Sequence, residues 1–365
     1  MKKLLKRSVV ASAVAAVSFT GINVAQAEDT FTVVSWGGAY TKSQERAYSE
    51  PWTEKTGTKF LHEDKSGTAL AGIRSQVEAD NVTWDLVDIL EGDSLIACDE
   101  GLVEEINYDE ILAPAPDGTP ASKDFLGGLN GCFIPQIYYA TLFAYNNESF
   151  PDAKPATIAD IFDLTKFPGK RGLQKIPDGN LEWALMADGV AAKDVYNELS
   201  TEAGVTRAFK KLDTIKDSVV WWEAGAQPPQ LLSDKEVSIS TGFNGRFFAA
   251  QVNEKQPFTI VWDGQLAEID GWVVPKGKLT EKMKEYLRFA TDTQRLADQS
   301  KYISYGPARA SSAPLVGKHE DTGVDMKPHM PTSPVNFENP IVKDAEWWAN
   351  NKDDMNERFN AWLSK

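Results

Sequence analysis

Hydrophobic and polar positions along this chain change between a period of two and a helical period, and that alternation predicts the fold class. Thr32-Val33-Val34-Ser35-Trp36 is a β-rich run stopped by Gly37-Gly38, and the polar, helix-compatible stretch after it reaches Lys55. Lys59 to His62 reads as a second strand, Gly67 to Ala79 as a helix, and Trp84 to Leu90 as a third strand bounded by Glu91-Gly92-Asp93. Strands alternating with helices predict an α/β domain with a largely parallel sheet. The apolar, aromatic run Ile134 to Tyr145 reads as a buried strand leaving that first domain, and ends at Asn146-Asn147. Beyond it, helices are predicted at Ile158 to Asp163, Leu181 to Ala192, Glu202 to Ile215 and from Pro228, with strands at Val219 to Trp222 and Val237 to Thr241. Gly271 to Pro275 is a further strand, and Thr280 to Ser300 one long helix. The stretch Lys327 to Pro340 is Pro-rich and irregular, and Asp344 to Leu363 is an amphipathic helix carrying Trp347, Trp348, Phe359 and Trp362.

The first residues carry a different message. Lys2, Lys3, Lys6 and Arg7 precede an uncharged run from Ser8 to Ile22, and Ala25-Gln26-Ala27 offers small residues for cleavage. This is the pattern of a secretory signal peptide over residues 1–27, cleaved after Ala27, with an exported, periplasmic product. The run is too short and too rich in Ala and Ser to serve as a comfortable membrane span. What remains is long enough for two domains.

Composition narrows the function classes. The formal charge is −15, and losing four basic leader residues makes the product more acidic still. An acidic surface argues against nucleic acid, which demands a basic patch. Cys98 and Cys132 form an even pair in an exported chain, which reads as a disulfide, with two buried free thiols as the competing assignment. His62, His319 and His329 with two cysteines make no usual zinc site, and no metal or cofactor is expected. Gly271 and Gly277-Lys278 imitate a phosphate-binding loop, but the spacing is one residue too long and Leu279 stands where Ser or Thr must hold the metal. There is no GxSxG and no GxGxxG, so an enzyme has no positive signal.

Three turns carry candidate chemistry. Trp36-Gly37-Gly38 joins a strand end to a helix start, the place where open α/β sheets bind ligands. Thr241 to Arg246 repeats that arrangement, with Phe243 offering a π face and Arg246 five donors suited to a carboxylate. A salt bridge at the surface or between domains is the competing role for Arg246. Glu268-Ile269-Asp270-Gly271-Trp272 sets acidic residues beside an indole, the combination an ammonium ligand favours. The competing roles are a turn for Asp270 and core packing for Trp272. Tyr305 stands at an expected hinge.

Taken in order, these pieces resemble the periplasmic solute-binding proteins of ABC importers, specifically the spermidine/putrescine-binding group. The likeness is carried by Ser35-Trp36-Gly37-Gly38-Ala39-Tyr40, Trp84-Asp85-Leu86-Val87-Asp88, Cys98 with Glu100-Gly101-Leu102, and Pro177-Asp178-Gly179-Asn180-Leu181-Glu182-Trp183. Trp221-Trp222 with Gly225-Ala226-Gln227, the Gly242 to Arg246 turn, and Asp270 before Pro275 complete it. The resemblance implies a two-lobed α/β fold of the type II periplasmic-binding-protein kind, with a ligand cleft between lobes that close on binding. Lobe 1 is expected over residues 28–145 plus about 266–310, and lobe 2 over 146–265 plus about 311–365. It further implies Trp36, with Gly37 and Gly38, as a cleft wall, Asp178 and Glu182 as an acidic pair of lobe 2, and Phe243 where polyamine binders often have Trp. Asp270 matches the residue that holds an ammonium, Tyr305 a hinge aromatic, and Trp347 or Trp348 a contact near the C-terminus.

Departures from that pattern bear on the ligand. Leu90-Glu91-Gly92-Asp93 occupies a stretch where the polyamine binders have a serine and a tyrosine, and Glu268 stands where they have Trp. Arg246 adds a cation that repels a diamine. Arg246 with Asp270 suits a zwitterion such as a GABA-like amino acid, a betaine or a sulfonium compound. The expectation is therefore a monomeric, non-enzymatic receptor that hands an amine-type cation or zwitterion to an inner-membrane ABC permease. The rivals are an exported hydrolase or lyase on the same fold and a chemosensory receptor subunit.

Overall fold

A computed structural model describes residues 30–365. The leader expected over residues 1–27 lies outside them. Ten strands order the described residues: β1 (Thr30–Ser35), β2 (Lys59–Asp64), β3 (Leu86–Leu90), β4 (Ile134–Asn146), β5 (Arg171–Gln174), β6 (Val219–Trp222), β7 (Ile239–Phe243), β8 (Phe258–Val273), β9 (Gly306–Pro307) and β10 (Ile341–Val342). They pair in the order β2-β1-β3-β8-β4-β7-β5-β6, with β10 added to β8 and β9 to β4. The parallel trios β2-β1-β3 and β7-β5-β6 sit at opposite ends of this order. Between them run two long antiparallel strands, β4 and β8, each shared by both ends. This is the two-lobed periplasmic-binding-protein architecture: two α/β lobes joined by crossing strands.

The crossing has a local cause. β4 pairs with β8 as Thr141 with Leu266 and then as Phe143 with Val261, so residues 262–265 bulge out of the ladder. Gly264 takes φ +63° there, a left-handed conformation that a side chain disfavours, and a Cβ on it would meet Ile158 at 2.3 Å. Lobe 1 packs Phe31, Tyr48, Trp52, Trp272 and Tyr286 into one core, and lobe 2 packs Phe167, Leu173 and Trp183 into another, against which Phe143 of the crossing strand β4 is packed. Cys98 and Cys132 form a disulfide with their Cα atoms 5.9 Å apart.

Most predicted elements are present within a few residues of their expected ends. The long helix expected over Thr280 to Ser300 is two helices, Glu281–Ala290 and Thr293–Gln299. Asp292 breaks it: its carboxylate accepts the Gln294 N–H at 2.9 Å and caps the second helix. The strand expected at Gly271 to Pro275 is the tail of β8, which begins at Phe258.

Candidate ligand-binding site

The C-terminal ends of β1, β5 and β7 converge on the crossing strands, which is where an open α/β sheet presents its ligand crevice. A cavity of about 350 Å³ lies there. It is small even for a small-molecule site.

Aromatic rings make its walls. Trp36 follows β1, Tyr139 lies on β4, Phe243 ends β7, and Tyr40 and Tyr305 close the far side. Tyr139 meets Phe243 with ring centres 6.0 Å apart and Tyr305 at 6.1 Å, and Tyr40 meets Tyr305 at 5.9 Å. Gly245 makes room for this box, since a Cβ on it would stand 2.8 Å from the Tyr305 ring. The Trp36 indole N–H is buried and has no hydrogen-bond partner among the described residues.

Six charged residues line the cavity: Asp178, Glu223, Arg246, Glu268, Asp270 and Lys343. Lys343 donates to Asp178 and, at 2.6 Å, to Glu268. Glu223 pairs with Lys175 at 3.0 Å. Among the described residues, Asp270 has no cationic partner and Arg246 makes no ion pair or hydrogen bond. One carboxylate and one guanidinium are thus left unmatched in the same cavity. The Arg246 guanidinium reaches across to lobe 1, where its Nη1 lies 3.6 Å from the position a Cβ on Gly38 would take.

The electrostatics follow from burial. Asp270 is 3% exposed. Burial pushes its carboxyl up to about 7, although the Tyr40 hydroxyl and the Gly271 N–H, which donates at 2.9 Å, pull it down. Behind it, burial next to Asp270 drives the Asp88 carboxyl well above the usual carboxylate range. Asp88 belongs to a buried polar network in which Gln44 Nε2 donates to it at 2.9 Å and the Tyr40 hydroxyl donates to Gln136 at 2.7 Å. Burial would discharge Lys343, but Asp178 and Glu268 outweigh it and hold its pKa above the usual lysine value. Burial pushes the Tyr305 phenol up to about 12 despite the nearby Arg246 cation.

A family model described as bacterial extracellular solute-binding protein matches residues 47–332. The chain belongs to that family. A gamma-aminobutyric acid-binding protein of Pseudomonas aeruginosa is 37% identical over 343 residues, 93% of each chain. Of solved structures, a GABA receptor is similar at 30% identity with a TM-score of 0.78, covering 92% of this chain and 98% of that one. An A. tumefaciens B6 periplasmic binding protein in complex with glucopine is similar at 28% identity with a TM-score of 0.78, covering 92% and 99%. The protein is therefore a solute-binding component of an ABC transporter, of an extracellular or periplasmic family. No helix among its described residues is long and apolar enough to cross a membrane.

This solute-binding protein gathers some of the residues singled out in its sequence and disperses others. Trp36, Asp178, Phe243, Arg246, Glu268, Asp270 and Tyr305 share the cavity. Gly37 and Gly38 turn the chain beneath Trp36 with φ of +83° and +58°, but the Gly37 N–H is taken by Thr41 Oγ1 at 2.9 Å. Trp272 is not a cage wall: it shares a face of β8 with Asp270 but lies farther along the strand, in the lobe 1 core, 5.5 Å from the Tyr48 ring centre. Glu182 does not pair with Asp178 on the cavity surface. It is fully buried behind it, accepts from the Trp348 indole at 2.8 Å and the Tyr196 hydroxyl at 3.0 Å, and burial pushes it up to about 8. Trp348 supports Glu182, and Trp347 packs on Tyr196 and donates to Ser200, so neither indole lines the aromatic cavity.

Tyr40, Tyr139 and Lys343 are cavity residues that the sequence reading did not single out. Tyr40 stands on the first helix, Gly38–Gln44, four residues after Trp36, which precedes that helix, so no helical spacing marks the two rings as neighbours. Lys343 carries no signal either, because its role depends on β10 pairing with β8.

Proposed function

We propose that this protein captures a small zwitterion of the ω-amino acid type, such as GABA, for import through an inner-membrane permease. The observation that carries the proposal is the unmatched pair: of six charged residues lining the cavity, Asp270 lacks a cation and Arg246 lacks an anion. A ligand with an ammonium at one end and a carboxylate at the other satisfies both. The ammonium lies on Asp270 within the rings of Trp36, Tyr40, Tyr139, Phe243 and Tyr305, which attract a cation through their π faces. The carboxylate lies on the Arg246 fork. The GABA-binding relative and the similar GABA receptor support the ω-amino acid form. Betaine and sulfonium zwitterions answer the same charge pair and gain more from the aromatic box.

In this reading the exported chain, cleaved after Ala27, works as a periplasmic monomer. Its lobes, residues 28–145 with about 266–310 and residues 146–265 with about 311–365, close over the ligand. Polyamine binding, expected from the sequence resemblance, is the second reading. The acidic residues and aromatic walls favour it, and the free Arg246 cation opposes it. A thermal-shift screen over ω-amino acids, betaines, sulfonium zwitterions, putrescine and spermidine separates the two. A zwitterion at 100 times its dissociation constant adds about 2.7 kcal/mol of stability, and a screen in which polyamines alone shift the midpoint overturns the proposal.

A further inference from the structure

Lys343 is a charged residue of the cavity wall that comes from the C-terminal segment, and its backbone is pinned on both sides. It follows β10, whose Ile341 and Val342 pair with Leu266 and Ala267 of β8, and its N–H donates to the Ala267 carbonyl at 3.0 Å. Asp344, directly after it, caps the last helix by accepting the Trp347 N–H at 2.8 Å. A lysine held this way loses little further freedom in presenting its ammonium. The ammonium sits between Asp178 of lobe 2 and Glu268 of β8, and Glu268 is buried. The same side chain lines a second cavity of about 290 Å³, bordered by Glu91, Asp93, Trp348 and Lys352, so it stands between the two spaces.

Two carboxylates facing one cavity, with aromatic rings nearby and space behind, are what the second ammonium of a diamine requires. Here that station is filled by the protein's own amine. We propose that Lys343 is a specificity-determining residue, a tethered ammonium that occupies the Asp178–Glu268 station and thereby excludes ligands carrying a second cation. This rests on the zwitterion reading above for the ligand that remains admitted. A diamine reaching the same carboxylates must displace a charge that cannot leave, so it meets repulsion without gaining a partner.

GABA and putrescine make a matched pair of probes, since both are short linear chains with an ammonium at one end and differ in the sign of the charge at the other. Calorimetry of wild type, Lys343→Met and Lys343→Met/Glu268→Gln with both probes tests the inference. The double variant removes one of the carboxylates that the single variant strands in a buried site, and carries the test where the single variant folds poorly. Losing the tethered charge is expected to move the GABA-to-putrescine preference toward putrescine by about 10- to 100-fold, the worth of one charge-assisted hydrogen bond. Lys343→Arg, which keeps the charge, is expected to hold the wild-type preference. An unchanged preference in the charge-removing variants, with wild type binding GABA, overturns the role of Lys343 and leaves the zwitterion reading standing. Wild type binding putrescine as tightly as GABA overturns that reading, and a further gain of putrescine in the variants still reports on Lys343. Failure of both charge-removing variants to fold also overturns the specificity role, because Lys343 is then a structural ion.

Discussion

Replacing Asp270 by Asn should stabilise the protein while destroying its ligand site, and the size of the effect follows from burial. An unfolded Asp titrates near 3.9, whereas folding pushes the Asp270 carboxyl up to about 7. The sign is fixed by that order. Below about pH 4 the group is protonated in both states and contributes nothing. As pH rises from about 4 to 7 the unfolded chain ionises and the folded one resists, so the folded state loses stability, and the loss is constant above pH 7. Three pKa units correspond to about 4 kcal/mol at pH 8. Asn has nearly the same shape, its amide oxygen can still accept the Gly271 N–H that Asp270 accepts at 2.9 Å, and it has no charge to desolvate. Urea unfolding of wild type and Asp270→Asn from pH 4 to 9 is the assay. The variant should gain little near pH 4 and up to about 4 kcal/mol at pH 8, while losing 1.5–3 kcal/mol of ligand affinity, about the worth of a charged hydrogen bond. A stability difference that is flat across pH, or a variant weaker than wild type at pH 8, would refute the reasoning.

Further outcomes follow from the same geometry. Ligand binding at pH 6 should release about one proton, because an ammonium recruits the ionised form of Asp270, and release should vanish by pH 9; calorimetry in buffers of different ionisation enthalpy reads it directly, and no release at pH 6 removes Asp270 as the counter-ion. Arg246→Ala should weaken a zwitterion by about 10- to 100-fold without lowering the unfolding midpoint of the empty protein, since Arg246 holds no described partner; a stability loss with intact affinity makes it a structural residue. Thiol titration of the denatured, unreduced protein should find no free thiol, and replacing Cys98 and Cys132 by Ser should cost about 4 kcal/mol in the chain-entropy account for a separation of 34 residues.

The lobes were legible in the sequence because their strands are apolar and end in glycine turns. β1 stops at Gly37-Gly38, β7 runs into Asn244-Gly245, and both turns lie at the cavity. β8 was legible only at its tail. Gly264, Gln265, Glu268 and Asp270 interrupt its apolar pattern, yet these residues are buried, because the strand crosses between lobes and two of its carboxylates line the cavity. Trp272 shows the limit of reading neighbours along a strand. It lies two residues after Asp270 and on the same face, but about 7 Å farther along the strand, where the indole packs against Tyr48 in the core and not on the cavity. Lys343 shows the other limit. Nothing near it in sequence marks a ligand residue, and its meeting with Asp178, 165 positions earlier, arises only from the fold.

The central claim is that the cavity leaves one anion and one cation unmatched and so demands both charges of a zwitterion. Calorimetry of the wild-type protein with GABA, butylamine and butyrate tests it most directly, since each analogue keeps one charged end and loses the other. The account predicts that both analogues bind at least about tenfold more weakly than GABA, each having lost one charge-assisted contact. Butylamine binding as tightly as GABA would contradict it, because Arg246 would then contribute nothing to the ligand.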